Sequence, residues 1–572
     1  MATDVKSAMA PAFRVPRVER GTLLMVVLIA AMGFCVVYPL ILILANSFNE
    51  ASIVHAPIFG LQAWRDAFNQ PGVWTALKNT VEVAVVRQLI TFPIGVLIAW
   101  VLARTNIPFA RGFEFLFWVS FMYPTVAAVF GWMLLLDPDT GLVNTLLMNW
   151  TGHAPFNIYS FWGIIWVHVL SGVDATVMRL TPAFRRMDAA MEEASHMSGA
   201  GAFRTMLHIT LPAMTPALIV VLMLSLVRLF ESFEVEYLLG IPWGFFVLST
   251  KIVDLARSEP PLVNQAAALG TIILIFLAAL IPLQRWLIGR RQFTTVTGQI
   301  KPKLIDVGKW KYVFAAAVGA LLLLAVGVPI LSVAGGAFMV RFGFFNLPTT
   351  WTLDYWRNAL SDPNLLSALT NTLIVAGTAA IVGTALFSLI AYVLVRTKLP
   401  GRAILDAICW LPAAIPGALL GLGLLWMFLG TPVFRSLYGT LPLLSIAAII
   451  GGVTLSTQIL KANFIQLSAQ LEESSRMSGA GFWRTYFHIV VPLMAQTLIM
   501  TAVLKFLFAA RNASTMIFLS TSETRPLSVL ALDQIASGHH EEAAITVFLI
   551  ILLTTGLAII ARLFGLRVGL KD

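Results

Sequence analysis

Twelve times along this chain a run of about twenty residues is almost wholly apolar, the length of helix that crosses the hydrocarbon core of a bilayer. The runs begin near Leu23, Val81, Gly112, Phe161, Ala213 and Val263, then near Tyr312, Thr370, Ala403, Leu443, Leu493 and Ala544. Hydrophobic side chains make up 58% of the 572 residues and charged ones 12%, against roughly 25% charged in a soluble domain. A water-soluble core could not hide that much apolar surface. The chain is therefore expected to be an all-α polytopic membrane protein with twelve transmembrane helices. Continuous runs, rather than alternating ten-residue segments, exclude a membrane barrel. The fourth and tenth runs are short and carry Asp174 and Thr454.

The net charge of +10 would suggest nucleic acid in a soluble protein. In a membrane protein it reports loops that set topology. With the N-terminus inside, 26 of the 38 Lys and Arg fall on the cytoplasmic side. Both termini are expected there, with lipid and not nucleic acid as the partner. The basic N-terminal stretch is followed by an apolar run reaching Ala45, too long for a signal peptide core and better read as an uncleaved first helix. Cys35 and Cys409 lie in apolar runs, which argues against a disulfide framework or a thiolate metal site.

An internal repeat sets the architecture. Residues 192–212 read EEASHMSGAGAFRTMLHITLP and residues 472–492 read EESSRMSGAGFWRTYFHIVVP, with 13 of 21 positions identical at an offset of 280. A second register, offset by 292, matches Trp64 with Trp356, Asn79-Thr80 with Asn371-Thr372, Arg104-Thr105 with Arg396-Thr397, and Pro124 with Pro416. The first half thus carries 12 extra residues, assigned to the polar loop 137–160. An even number of helices per repeat makes the halves parallel, related by an axis along the membrane normal. The expected organisation is a cytoplasmic segment 1–20, a first half 21–288, a basic cytoplasmic linker 289–311 and a second half 312–572.

Each repeated block falls inside, between the fourth and fifth helices of its half. It reads as an acidic helix start, a glycine turn, a short amphipathic stretch, and a Pro opening the next span. Gly199, Gly201, Gly479 and Gly481 would permit positive φ, and Pro212 and Pro492 suit a first helical turn. The result would be a small docking helix. A hairpin packed on its own bundle is the plainer alternative, weakened by the duplication of Arg204/Arg484 and His208/His488.

The residues Glu193, Ala194, Ser195, Gly199, Ile209, Leu211 and Pro212 resemble the EAA loop of binding-protein-dependent ABC importer permeases. The second copy is Glu473, Ser474, Ser475, Gly479, Ile489, Val491 and Pro492, with Ser474 replacing Ala and Val491 replacing Leu. The resemblance implies a type I importer permease in the bacterial inner membrane, whose EAA loops dock in two copies of a cytoplasmic ATPase. It also implies an external, periplasmic solute-binding protein. ATP and Mg would be used by that ATPase and no cofactor by this chain: the one Gly-Lys, Gly308-Lys309, is followed by Trp310, so no Walker A loop is present and the chain is not expected to be an enzyme.

A fused twelve-helix chain most resembles the ferric iron importer permeases, with 2-aminoethylphosphonate, thiamine or a polyamine as alternative solutes. The segment 230–236, FESFEVE, and Leu248-Ser249-Thr250 add to the ferric likeness. His539-His540-Glu541-Glu542 in the last outer loop could bind metal, though a solvated loop is the simpler reading. An ion-gradient carrier is the rival class, since Glu82, Arg87 and Asp174 in spans would suit a proton relay; Glu82 and Arg87 could equally pair with each other. Arg228, Glu231, Lys505 and Arg511 are candidate pathway or gate residues. Glu231 and Arg511 are equivalent at the offset of 280, about 28 Å beyond Pro212 and Pro492 at 1.5 Å per residue. The expectation is that they pair across the axis near the outer face, with local pairing of Arg228 and Glu231 as the alternative.

Overall fold

A computed structural model describes residues 20–51, 57–229, 232–289, 304–345 and 347–563. Both termini lie outside these residues, as does most of the linker. With no water in the hydrocarbon core, each backbone N–H and C=O must be satisfied within its own segment, so apolar runs become helices. The described residues form helices joined by loops, with three isolated β-bridges.

In the first half the predicted spans are α1 Gly21–Ser47, α2 Val73–Arg104, α3 (Ala110–Met122 with Thr125–Leu136), α4 Phe161–Arg185, α5 Ala202–Leu226 and α6 Val263–Gly289. The second half has α7 Trp310–Gly336, α8 Pro363–Arg396, α9 (Arg402–Ala413 with Gly417–Gly430) and α10 (Leu441–Gly451 with Val453–Gln466). It closes with α11 (Phe482–Leu493 with Ala495–Ala510) and α12 His540–Ala561. Seven of these are long and apolar enough to cross a membrane unbroken, and the four bent pairs raise the number to 11. The apolar part of α6, Val263–Ala279, is shorter.

The breaks follow the sequence. Pro124 and Pro416, matched in the repeat, interrupt the third span of each half. The residue before a proline is driven out of the helical region, and Tyr123 (ψ 136°) and Ile415 (ψ 119°) are extended. In α3 the two pieces meet at 96°. The 12 extra residues of the first half lie where expected: the loop carries a helix, Leu142–Thr151. The other matched residues also have visible roles. Asn79 Nδ2 donates to Phe246 O and Asn371 Nδ2 to Glu523 O, both at 2.9 Å. Thr80 and Thr372 hydroxyls accept from Leu248 and Leu527 N–H, both at 2.8 Å. Each pair ties the second span to the segment that follows the fifth.

The halves hold each other reciprocally. The end of α1 packs on the second piece of α9, and the end of α7 on the second piece of α3. At both crossings a glycine faces a proline. A Cβ on Gly131 would lie 2.7 Å from Pro329 Cα, and one on Gly423 would lie 2.9 Å from Pro39 O. Small residues let helix backbones approach closely in a membrane, where packing rather than hydrophobic exclusion drives association. A buried apolar cluster runs through both halves across these contacts.

Candidate functional site

The two repeated loops fold alike. In the first, the helix Ala190–Met197 ends at Gly199 and the chain turns into α5. In the second, Gln470–Met477 ends at Gly479 before α11. Gly199 (φ +82°) and Gly479 (φ +81°) are left-handed, a conformation that costs other L-residues about 1–2 kcal/mol. Gly201 and Gly481 differ from expectation: their φ values of −69° and −72° are extended, so positive φ is needed once per loop. Ser195 and Thr205 hydroxyls are 2.9 Å apart across the turn, and Ser475 and Thr485 3.0 Å apart.

Pro212 and Pro492 do not open their helices. The helices start at Ala202 and Phe482, and each proline follows a π turn, Met206–Thr210 or Tyr486–Val490. There Leu211 N–H bonds Met206 O and Val491 N–H bonds Tyr486 O, five residues back. The wider turn lets the helix pass a residue that has no N–H to donate.

What anchors each loop is the acidic residue before the motif. Glu192 is buried against the Arg104 guanidinium at the end of α2, and also accepts from Thr210 Oγ1 at 2.6 Å. Arg396 Nε lies 2.9 Å from Glu472 Oε1 at the end of α8, while Tyr392 OH donates to Glu472 Oε2 at 2.9 Å. The repeat displays both residues of each pair, Arg104 with Arg396 and Glu192 with Glu472, but not their contact. The signal was available: two matched opposite charges, each in a register of its own.

Among the motif residues, Glu193, Ala194, Gly199, Pro212, Glu473, Ser474, Gly479 and Pro492 are exposed, while Ile209, Leu211, Ile489 and Val491 are half-buried. Bulky apolar side chains stand exposed beside them in equivalent pairs: Met197 and Met477, each 90% exposed, Phe203 and Trp483, Leu207 and Phe487. Each loop therefore presents an apolar, glycine-turned face with a carboxylate at its edge.

The pathway residues separate. Arg511 ends α11, and its guanidinium donates to Phe121 O (2.9 Å) and Tyr123 O (3.2 Å) at the break of α3, while lying over the Phe508 ring. A charge of the second half thus caps the broken helix of the first. Glu231 and the Arg228 side chain lie outside the described residues, so the proposed cross-axis pair does too. Lys505 is buried; its ammonium donates to Ile449 O at 2.8 Å and sits 4.8 Å from the Phe387 ring centroid. Glu82 is on the exposed face of α2, paired with Lys78 at 3.4 Å, and Arg87 lines an interior cavity; five residues along a helix place the two on different faces. The adjacent histidines His539 and His540 are structural in part. His540 starts α12 against the rings of Phe130 and Phe342, and Glu541 accepts Phe342 N–H at 2.9 Å. Among the described residues no three His, Cys, Asp or Glu group as a metal site.

Two helical halves, each carrying the same anchored loop, define a polytopic helical membrane protein built as a tandem repeat. Residues 385–569 match the family described as "Binding-protein-dependent transport system inner membrane component", in agreement with the sequence resemblance. The chain is 27% identical over 509 residues to the "Putative ferric transport system permease protein FbpB 1" of Haemophilus influenzae, covering 87% of this chain and 78% of that one. It is also 27% identical to the "Ferric transport system permease protein FbpB" of Actinobacillus pleuropneumoniae, over 70% of this chain and 58% of the relative. A solved bacterial ABC transporter involved in import of the acidic polysaccharide alginate aligns with a TM-score of 0.42 at 19% identity, over 48% of this chain and 98% of that one.

Proposed function

We propose that this chain is the transmembrane subunit of an ATP-driven importer, and that its solute is ferric iron delivered by an external binding protein. One observation carries the mechanism: each half presents the same loop, rooted through an Arg–Glu ion pair in its second span, buried in the first half and partly buried in the second, with equivalent apolar side chains exposed on its face. An exposed apolar patch of this kind marks a docking surface. Each loop takes one ATPase subunit on the cytoplasmic side. When the two ATPases close on ATP they draw the loops together, and the ion pairs pass that displacement to α2 and α8. Glu193, Ala194, Gly199, Ile209, Leu211 and Pro212, with Glu473, Ser474, Gly479, Ile489, Val491 and Pro492, form the two contact elements. The chain itself hydrolyses no nucleotide in this scheme.

Iron is supported by the similarity to two ferric transport permeases, one of them matched over most of this chain. Selectivity for the solute then rests largely with the binding protein. The test is uptake of labelled ferric iron by inverted-topology-controlled vesicles containing the permease, its ATPase and the binding protein. Uptake should require ATP and survive a protonophore. Uptake that ignores ATP and collapses with the proton gradient would instead make the chain a secondary carrier, and ATP-driven uptake of another solute would remove iron alone.

A further inference from the structure

A cavity of about 250 Å³ lies in the first half between α2, α3 and α4, roughly midway along α2 and α4, and Arg511 of the second half reaches into it. Its wall is polar to a degree that a membrane interior tolerates only where the groups have a use. Three guanidiniums line it, those of Arg87, Arg179 and Arg511, against two carboxylates, Asp174 and Glu234. Asp174 is engaged with Ser120 Oγ at 3.0 Å and with the Ala175 N–H. The neighbouring His168 is joined to Glu236 at 2.7 Å. Thr91 and Tyr123 are also among the lining residues; both are more than nine-tenths buried, and their hydroxyls, which have no surface of their own on the cavity, have no hydrogen-bond partner. The three guanidiniums against two carboxylates leave the wall with an excess of positive charge, which points to an anionic occupant.

The equivalent place in the second half is filled. Across the repeat, Thr91, Gly172 and Ser225 of the cavity wall become Gly383, Gly452 and Lys505. The Lys505 side chain fills the equivalent position so tightly that a Cβ on either glycine would collide with it. Arg87, Asp174 and Arg179 become Ala379, Thr454 and Ile459. One half has kept a charged cavity and the other has closed it.

We propose that the first-half cavity is a transmembrane binding site for a compact oxyanion group, a phosphate, phosphonate or carboxylate. Planar guanidiniums match such groups with paired N–H donors. The volume is just below that of small-ligand pockets, about 300–1,000 Å³, which suits an ion of phosphate size with water. The inference rests on the permease reading but not on iron. Under the iron reading, it means that the metal crosses with an anion attached rather than as a bare cation.

The test uses the full chain in lipid nanodiscs, titrated with inorganic phosphate, methylphosphonate or acetate against chloride at constant ionic strength. At least one oxyanion should bind saturably at one site per chain by calorimetry. Arg87→Gln and Arg179→Gln should weaken that binding at least tenfold. Arg87→Lys and Arg179→Lys, which keep the charge but lose the planar fork, should weaken it several-fold. Exposed Arg357→Gln should leave it unaltered. No saturable binding by any of the three, or equal binding by all cavity variants, would overturn the site. Iron uptake by a permease that binds none of these anions would overturn this site and leave the iron reading standing. Anion binding without iron uptake would do the reverse.

Discussion

Glu192 and Arg104 form a buried ion pair 88 residues apart in sequence, and Glu472 and Arg396 repeat it at 2.9 Å in the other half. Each pair ties the root of a repeated loop to the end of a membrane span. The docking role proposed for these loops requires each to be held at one point, and the charge pair is that point, fully buried in the first half and partly exposed at Arg396 in the second.

Removing one member of such a pair leaves the other buried and unmatched, at about 3–5 kcal/mol. Arg104→Ala and Glu192→Ala should each lower the thermal unfolding temperature of the purified chain and sharply reduce ATP-driven uptake. The double variant should be less destabilised than the sum of the singles. Additive losses in a double-mutant cycle would mean that the two groups do not interact.

The glycine turns allow a test with a built-in control. Gly199→Val and Gly479→Val force a left-handed backbone on a β-branched residue, although a Cβ there meets nothing within 4 Å. Insertion should remain normal while ATPase co-purification and uptake fall. Gly201→Ala and Gly481→Ala, at extended positions, should be tolerated. Wild-type transport by both Val variants would remove the docking role. Glu193→Lys and Glu473→Lys should also weaken co-purification, since both carboxylates are exposed on the loop face.

At the contacts between halves, Gly131→Leu and Gly423→Leu insert a side chain where a proline from the other half already stands. Overpacking of this kind costs about 1–3 kcal/mol or more. Both variants should lower the unfolding temperature by similar amounts, because the contacts are equivalent. A stable Gly131→Leu protein would show that α3 and α7 are not closely packed.

Arg511 touches two carbonyl oxygens at the break in α3. Arg511→Glu would set a carboxylate against those carbonyls, so Glu231→Arg in the same chain should restore transport only in part. Arg511→Lys, which retains a donor but loses the fork, should fall between wild type and Arg511→Ala. Complete recovery by the charge exchange would mean that the partner carboxylate, not the broken helix, is what Arg511 serves.

Much of this architecture is legible in the primary structure because the bilayer enforces it. Apolar runs must be helices, a 21-residue repeat must be two copies of one element, and Pro124 and Pro416 must interrupt their spans. Gly199 and Gly479 likewise mark turns, since few other residues accept positive φ. What lay beyond sequence reasoning depends on side chains brought together from distant segments. The repeat displays Arg104 and Glu192 but not their pairing, because contact across 88 residues is set by how α2 and α4 pack. Pro212 suggests a helix start, and only the fold shows a π turn carrying the helix past it. The polar cavity is the strongest case. Arg87, Asp174, Arg179 and Arg511 are scattered charges along the chain, and Lys505 resembles them in type. Packing decides that the first four line one space while Lys505 fills its counterpart, since Gly383 and Gly452 leave room for a lysine stem that Thr91 and Ser225 do not require.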